Sequence, residues 1–265
     1  MPEPIRIVMV GCGAICHAWL KPLAQFADAQ IVGLVDLDPN RAAKVRDEFQ
    51  LNAEVGFDLG KMLRKTRPEA VFDLTVPCAH LSVTLTALRH GCHVLGEKPM
   101  AETMSAARRM VAAAARTGKI YAVIQNRRYL DPIRRCRAMI QSGGIGQLTT
   151  LNADFYLGPH FGGFREEMDH VLLLDMAIHT FDQARFLSGA DPVAVYAHDW
   201  NPAGSWYRHG ASAVAVFEMT NGIVFTYRGS WCAEGLSTSW EADWRCVGTK
   251  GSIRWDGANN LCGEA

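Results

Sequence analysis

The chain has 265 residues, 49% of them apolar and 20% charged, with 27 Lys and Arg against 27 Asp and Glu. A globular chain of this size buries roughly 70–75% of its unfolded surface without staples, and the composition excludes disorder, collagen and coiled coil. Zero net charge gives no electrostatic footprint for nucleic acid or a membrane surface, and no apolar run approaches the ~18 residues of a membrane span. The eight cysteines (12, 16, 78, 92, 136, 232, 246 and 262) form no C-x-x-C pair and no zinc-finger spacing. They read as small buried hydrophobes of a reducing compartment, and no metal site is expected. Met1–Arg6 leads straight into a short apolar run without signal-peptide architecture, so the expected location is cytoplasmic.

Residues 5–10 (IRIVMV) form a first buried strand, followed by Gly11-Cys12-Gly13 and a helix from Ala14 to about Ala27. A second strand at 31–36 ends in Asp36; a Pro-led helix follows at 39–49. Strands at 70–76, 93–97 and 120–125 alternate with helices at 80–91 and 103–117, the latter two stopped by Gly91 and Gly118. Alternating strand and helix, with continuously apolar strands, predicts a Rossmann-like parallel sheet covered on both faces. After residue 126 the pattern changes. A helix at 132–142 precedes a long strand at 146–157, a Gly/aromatic loop at 158–170 and a helix at 171–187. Strands follow at 193–200, 212–219, 223–231, 240–247 and 252–255, with Asn221-Gly222 reading as a two-residue hairpin turn. The expected architecture is a doubly wound parallel α/β domain over 1–123. An α+β domain with a predominantly antiparallel open sheet follows over 124–265.

Gly11-x-Gly13-x-x-Cys16 lies between a strand and a helix. In a dinucleotide-binding turn the first Gly makes the tight bend and the second lets backbone approach the pyrophosphate at the helix N-terminus. Cys16 stands where a third Gly normally permits close helix packing, so the helix is expected slightly further out. Asp36 follows Gly13 by 23 residues, near the ~20 expected of the acid that binds the ribose. Its carboxylate accepts from both ribose hydroxyls and repels a 2′-phosphate, which favours NAD over NADP; Arg41 nearby reads as an exposed helix charge.

Gly96-Glu97-Lys98-Pro99 ends the fourth strand, and with it the sequence resembles the Gfo/Idh/MocA family of sugar and inositol oxidoreductases. The matching segments run in order over nearly the whole chain. They are GCGAI at 11–15, VDLDPNRA at 35–42, TVPCAH at 75–80, GCHVLGEKPM at 91–100, NRRYLDP at 126–132, SGGIGQL at 142–148, LLDMAIHTFDQARFLSG at 173–189 and GTKGSI at 248–253. The resemblance implies that Gly11, Gly13, Ala14, Ile15, Asp36, Thr75, Pro77, His80, Glu97 and Lys98 bind the nicotinamide cofactor, with Gln125 on the nicotinamide side. It also implies that Lys98, Asp175 and His179 converge on the substrate. Asp175 and His179 are four apart on an expected helix and so share a face. His179 is then the acid/base, Lys98 the donor to the reacting oxygen, and Asp175 the residue that holds a substrate hydroxyl. Residues 168–174 lack the Gly-rich stretch that many members carry before this helix, which points to an unusual sugar. Family members also continue past GTKGSI, whereas this sequence ends at Ala265, so its second domain reads as short at that end.

Weaker candidates are Arg127, Arg128 and Tyr129 at the start of the second domain, and Phe161, Arg165, Glu166, Asp169 and His170 in the loop. Trp200, Trp206 and Tyr207 lie in a Pro/Gly/Asn segment and read as sugar-stacking or packing aromatics. The basic stretch 127–137 reads as a solvated helix face. The expected activity is hydride transfer between NAD(P) and a sugar, inositol or polyol. An NAD-dependent glycosidase and a non-catalytic dinucleotide-binding protein stay open as alternatives. The resemblance implies a homodimer or homotetramer through the second sheet. The open face of that sheet is expected to carry Val214, Val216, Phe225, Tyr227 and Trp231.

Overall fold

A computed structural model describes residues 3–265 and divides into two compact units, the first running through Ile124 and the second comprising Gln125–Ala265. In the first unit, strands β1 (Ile5–Val10), β2 (Ala29–Val35), β3 (Glu54–Gly56), β4 (Ala70–Asp73), β5 (His93–Gly96) and β6 (Tyr121–Val123) form one sheet. All its pairings are parallel, in the order 3-2-1-4-5-6. Helices α1 (Ala14–Leu23), α2 (Pro39–Glu48), α3 (Leu59–Thr66), α4 (Pro77–Arg89) and α5 (Met104–Thr117) connect the strands. Strand alternation sends Val8 and Val10 to one face, with Met62, Leu63, Ala87 and Ala113. Ile7 and Met9 go to the other, with Cys16, Leu20, Ala42 and Val45. Both faces of the sheet are therefore covered, as the uninterrupted apolar strands require.

β3 and α3 lie between the helix expected at 39–49 and the strand expected at 70–76, where the sequence pattern predicts no element. The helix carries its own start signal, for the Asp58 side chain accepts from the Lys61 N–H at 2.9 Å. Its apolar positions Leu59, Met62 and Leu63 recur at helical spacing. The strand is three residues long, too short for a period to show.

The second unit holds a seven-stranded sheet made of β7 (Leu148–Tyr156), β8 (Pro192–Trp200), β9 (Ser212–Met219), β10 (Val224–Ser230), β11 (Asp243–Gly248), β12 (Ser252–Trp255) and β13 (Leu261–Glu264). The order is 13-12-11-7-10-9-8, and every pairing is antiparallel except the central β7–β10 pair. Helix α6 (Asp131–Gln141), a short helix α7 (Phe164–Glu167) inside the expected loop, and α8 (Ile178–Ser188) complete it. The stretch before α8 departs from a continuous α-helix, because Leu172–Ala177 is π-helical. A further difference lies at Asn221-Gly222. The loop runs from Met219 to Val224; Gly222 alone has positive φ (+78°), and its N–H donates to Met219 O at 2.9 Å. That is a longer turn closed by a left-handed glycine rather than a two-residue hairpin.

Phe225, Tyr227 and Trp231 are buried, which corrects the expected open face. Phe181 of α8 packs edge-on against Phe217, Phe225 and Tyr227, with centroids 4.8, 6.3 and 5.3 Å away. These rings lie on the helix-covered side, and a one-residue change of phase moves a strand's whole apolar set across the sheet. The open side carries Tyr196, Val216 and Val224, all exposed, alongside the Arg228–Asp154 ion pair. Among the described residues no helix is long and apolar enough to cross a membrane.

Candidate functional site

The first unit brings Gly11, Gly13, Asp36, Thr75, Glu97 and Lys98 to the C-terminal edge of its parallel sheet, at or just beyond the ends of β1, β2, β4 and β5. Open α/β sheets bind ligands at this edge, where the strand order reverses. Gly11 has φ +94°, and a Cβ there would lie 2.6 Å from Leu74 O, so both conformation and space demand glycine. Around Gly13 a Cβ would meet nothing within 4 Å, which leaves the start of α1 open to an approaching group. The Asp36 carboxylate braces this turn. Its Oδ2 accepts from Cys12 N–H at 2.8 Å and its Oδ1 from Asp38 N–H at 2.9 Å. Each oxygen keeps lone-pair capacity for a further donor, the arrangement a ribose diol requires. Cys16 is fully buried, its Sγ 3.3 Å from Met9 Sδ, and fills the helix–strand contact as a small apolar group. Leu37, 96% exposed, directly follows Asp36, and Phe57, 65% exposed, follows β3. The Asp36 N–H donates to Gly56 O at 3.1 Å, so the two apolar side chains leave neighbouring strand ends. Neither was singled out in the sequence, where an apolar residue after an acid carries no periodic signal.

His80 and Glu97 have duties inside the unit. The His80 ring nitrogens sit 2.9 Å from Pro99 O and 3.0 Å from Thr75 O, and the side chain is buried. Both nitrogens are thus engaged by backbone, and His80 ties the loop after β4 to the loop after β5. Thr75 donates its hydroxyl to Asp73 Oδ1 at 2.5 Å, and its N–H reaches the same oxygen at 3.2 Å. Burial pushes the Asp73 carboxyl up from its ordinary value, while His80 and Thr75 pull it back. Glu97 accepts from Trp19 and from the Lys98 backbone. Pro77 is at the first turn of α4, and Ala14 and Ile15 open α1. Gln125 begins the second unit, with its Oε1 buried.

In the second unit Asp175 lies in the π-helical turn and His179 in the first turn of α8, and both are buried. π-Helical turns recur at functional sites because they displace side chains from the regular helical rows. The loop supplies a partner that sequence alone could not pick out. Arg165 Nε donates to Asp175 Oδ2 at 2.7 Å. The Arg165 guanidinium lies over the rings of Phe161 (5.3 Å) and Phe164 (4.8 Å), two cation–π contacts that help to hold it in place. Glu166, Asp169 and His170 serve the loop itself: Gly162 N–H donates to Glu166, His209 pairs with Asp169, and His170 pairs with Asp199. Trp206 stacks on His160 at 3.7 Å, and the Trp206 indole and Tyr207 hydroxyl both donate to Pro159 O. Those aromatics therefore anchor the loop. Trp200 stays partly exposed beside His198.

The basic stretch is not a uniformly solvated face. Arg127 pairs with Glu241 at 2.9 Å, and Arg128 donates its Nε to Asp182 at 2.8 Å. Arg137 lies 4.3 Å over the Phe186 ring, whereas Tyr129 is exposed.

Comparison with known proteins follows this geometry. Residues 5–125 match a family model described as an oxidoreductase family with NAD-binding Rossmann fold, and residues 133–254 match the GFO/IDH/MocA C-terminal domain. The chain is 30% identical over 213 residues to D-glucoside 3-dehydrogenase of Escherichia coli (strain K12), covering 77% of this chain and 60% of that one. It is 30% identical over 194 residues to inositol 2-dehydrogenase of Pseudomonas fluorescens (strain SBW25), covering 72% and 56%. The chain thus spans less than two thirds of either relative's length. An oxidoreductase from Agrobacterium radiobacter, solved with NAD+, L-tartaric acid and magnesium, shares the fold with a TM-score of 0.90 at 23% identity, over 99% of this chain and 79% of that one. With both of its units matched in order, the chain belongs to the Gfo/Idh/MocA oxidoreductase family.

Proposed function

We propose that this chain is an NAD-dependent oxidoreductase acting on a secondary alcohol or ketone of a sugar, inositol or related polyol. The observation that carries the reading is the open, glycine-lined start of α1 braced by the Asp36 carboxylate. Those residues fit NAD: backbone at Gly13 takes the pyrophosphate, Asp36 takes the ribose hydroxyls, and Leu37 and Phe57 offer apolar surface to the adenine. NAD supplies the hydride acceptor. Lys98 donates to the reacting oxygen and stabilises its negative charge, and His179 removes the hydroxyl proton. Asp175, oriented by Arg165, accepts from a neighbouring substrate hydroxyl. The relatives named for glucoside and inositol oxidation support this substrate class. The reading extends to a cytoplasmic homo-oligomer, a dimer or tetramer formed through the second sheet.

The test is calorimetry with NAD and NADP, followed by a panel of polyols and glycosides monitored for NADH and released aglycone. The expected outcome is tighter binding of NAD than NADP, with the preference relaxed in Asp36→Ser, and NADH formed without aglycone. Aglycone release without net NADH would favour a glycosidase, and no turnover at all a binding protein. Lys98→Ala should lose about 10²–10³ in turnover while still binding NAD. In the oxidative direction activity should rise with pH as the base loses its proton, and His179→Ala should remove that inflection. A His179→Ala enzyme that kept it would move the search for the base to His170 or Tyr129.

A further inference from the structure

Glu97 joins two parts of the dinucleotide-binding unit that the proposed reaction uses separately. Its Oε1 accepts the indole N–H of Trp19 at 2.7 Å, and its Oε2 accepts the backbone N–H of Lys98 at 3.1 Å. The Glu97 N–H donates to Asp73 O at 2.8 Å, so the residue is fixed at its backbone as well. Trp19 stands on α1, the helix that the glycine turn opens, and its ring packs edge-on against Phe72 of β4 at 5.1 Å. Hydrogen bonds to an ionised carboxylate are the strong kind, and a carboxylate held at both oxygens has a set orientation. A displacement of α1 therefore reaches the Lys98 backbone through a single side chain.

We propose that Trp19 is a positioning residue for Lys98: acting through Glu97, its indole N–H couples α1, where the dinucleotide is read to bind, to the strand end that carries Lys98. The proposal rests on the reading of Lys98 as donor to the reacting oxygen. Small errors in placing such a group are costly in rate. Trp19 is also the only tryptophan of the first unit, the other six falling between 200 and 255, so its signal can be followed alone.

The experiment uses the full chain labelled with ¹⁵N at the tryptophan indoles, and Trp19→Phe, which keeps a ring against Phe72, identifies the resonance. Glu97→Gln keeps an oxygen for the indole but offers an amide NH₂, which cannot accept, to the Lys98 N–H. The expected results are three. Saturating NAD shifts the Trp19 indole resonance, and Trp19→Phe lowers kcat about tenfold while the Kd for NAD changes less than about threefold. The double variant is no slower than the slower single one, because both changes break one chain of contacts. A resonance unmoved by bound NAD, or single effects on kcat that multiply in the double variant, overturns the proposal and leaves the oxidoreductase reading intact. Failure of NAD to bind in calorimetry, or full turnover in Lys98→Ala, overturns that reading and the proposal with it.

Discussion

Asp73 shows how much chemistry one buried carboxyl concentrates. It lies at the end of β4 with Oδ1 satisfied by Thr75 and Oδ2 without a hydrogen-bond partner. Burial is the largest influence and raises its pKa above the ordinary 3.8. A carboxyl raised on folding holds its proton longer in the folded than in the unfolded chain. Its stabilising contribution is therefore present at low pH and falls away as pH rises from the ordinary value through the folded one. Asp73→Asn keeps an oxygen for Thr75 and removes this dependence. In urea titrations the stability of the variant relative to wild type should increase as pH rises above the ordinary value of 3.8, and a difference flat in pH would refute the assignment. Asp36 was legible in the sequence because it ends a strand at a fixed distance after a glycine turn. Asp73 was not, because nothing local distinguishes a buried acid in AVFD from an exposed one.

The start of the second unit is secured by its side chains. Arg127, in the 3₁₀ turn Asn126–Tyr129, pairs with Glu241, which also accepts from Gln183 of α8 at 2.8 Å. Burial lowers the Arg127 pKa and raises that of Glu241, so each charge is disfavoured by its surroundings and upheld by its partner. Removing one member strands the other. Glu241→Leu alone should cost about 3 kcal/mol in chemical denaturation, whereas Arg127→Met with Glu241→Leu should recover most of that loss. Equal losses in the single and double variants would show that the pair itself is stabilising. The pairing spans 114 residues, beyond the reach of any local pattern. The same holds for Arg165 and Asp175, ten residues apart, whose contact depends on α7 and on the π-helical turn.

Over the whole molecule, the open side of the second sheet has a polar region, with the Arg228–Asp154 and Arg254–Asp243 pairs, and an apolar one at β8 and β9. Tyr196 is 68% and Val216 40% exposed there, and the two are directly opposed across the strands. If the chain self-associates through this face, Tyr196→Asp with Val216→Asp should convert oligomer to monomer in sedimentation at micromolar concentration. A wild-type monomer would refute self-association at that concentration, and an oligomer indifferent to both changes would place the contact elsewhere. The sequence by itself determined the parallel first sheet, the glycine turn, Asp36, and the change to an antiparallel pattern after residue 126. Each is written in short-range periodicity or in turn residues whose conformation few side chains can adopt. Only the tertiary structure decided which face of β10 is buried, that β7 and β10 run parallel, and which acids hold Arg127, Arg128 and Arg165. Those outcomes depend on contacts between residues far apart in the chain, where one step of strand phase or one helical turn changes every partner.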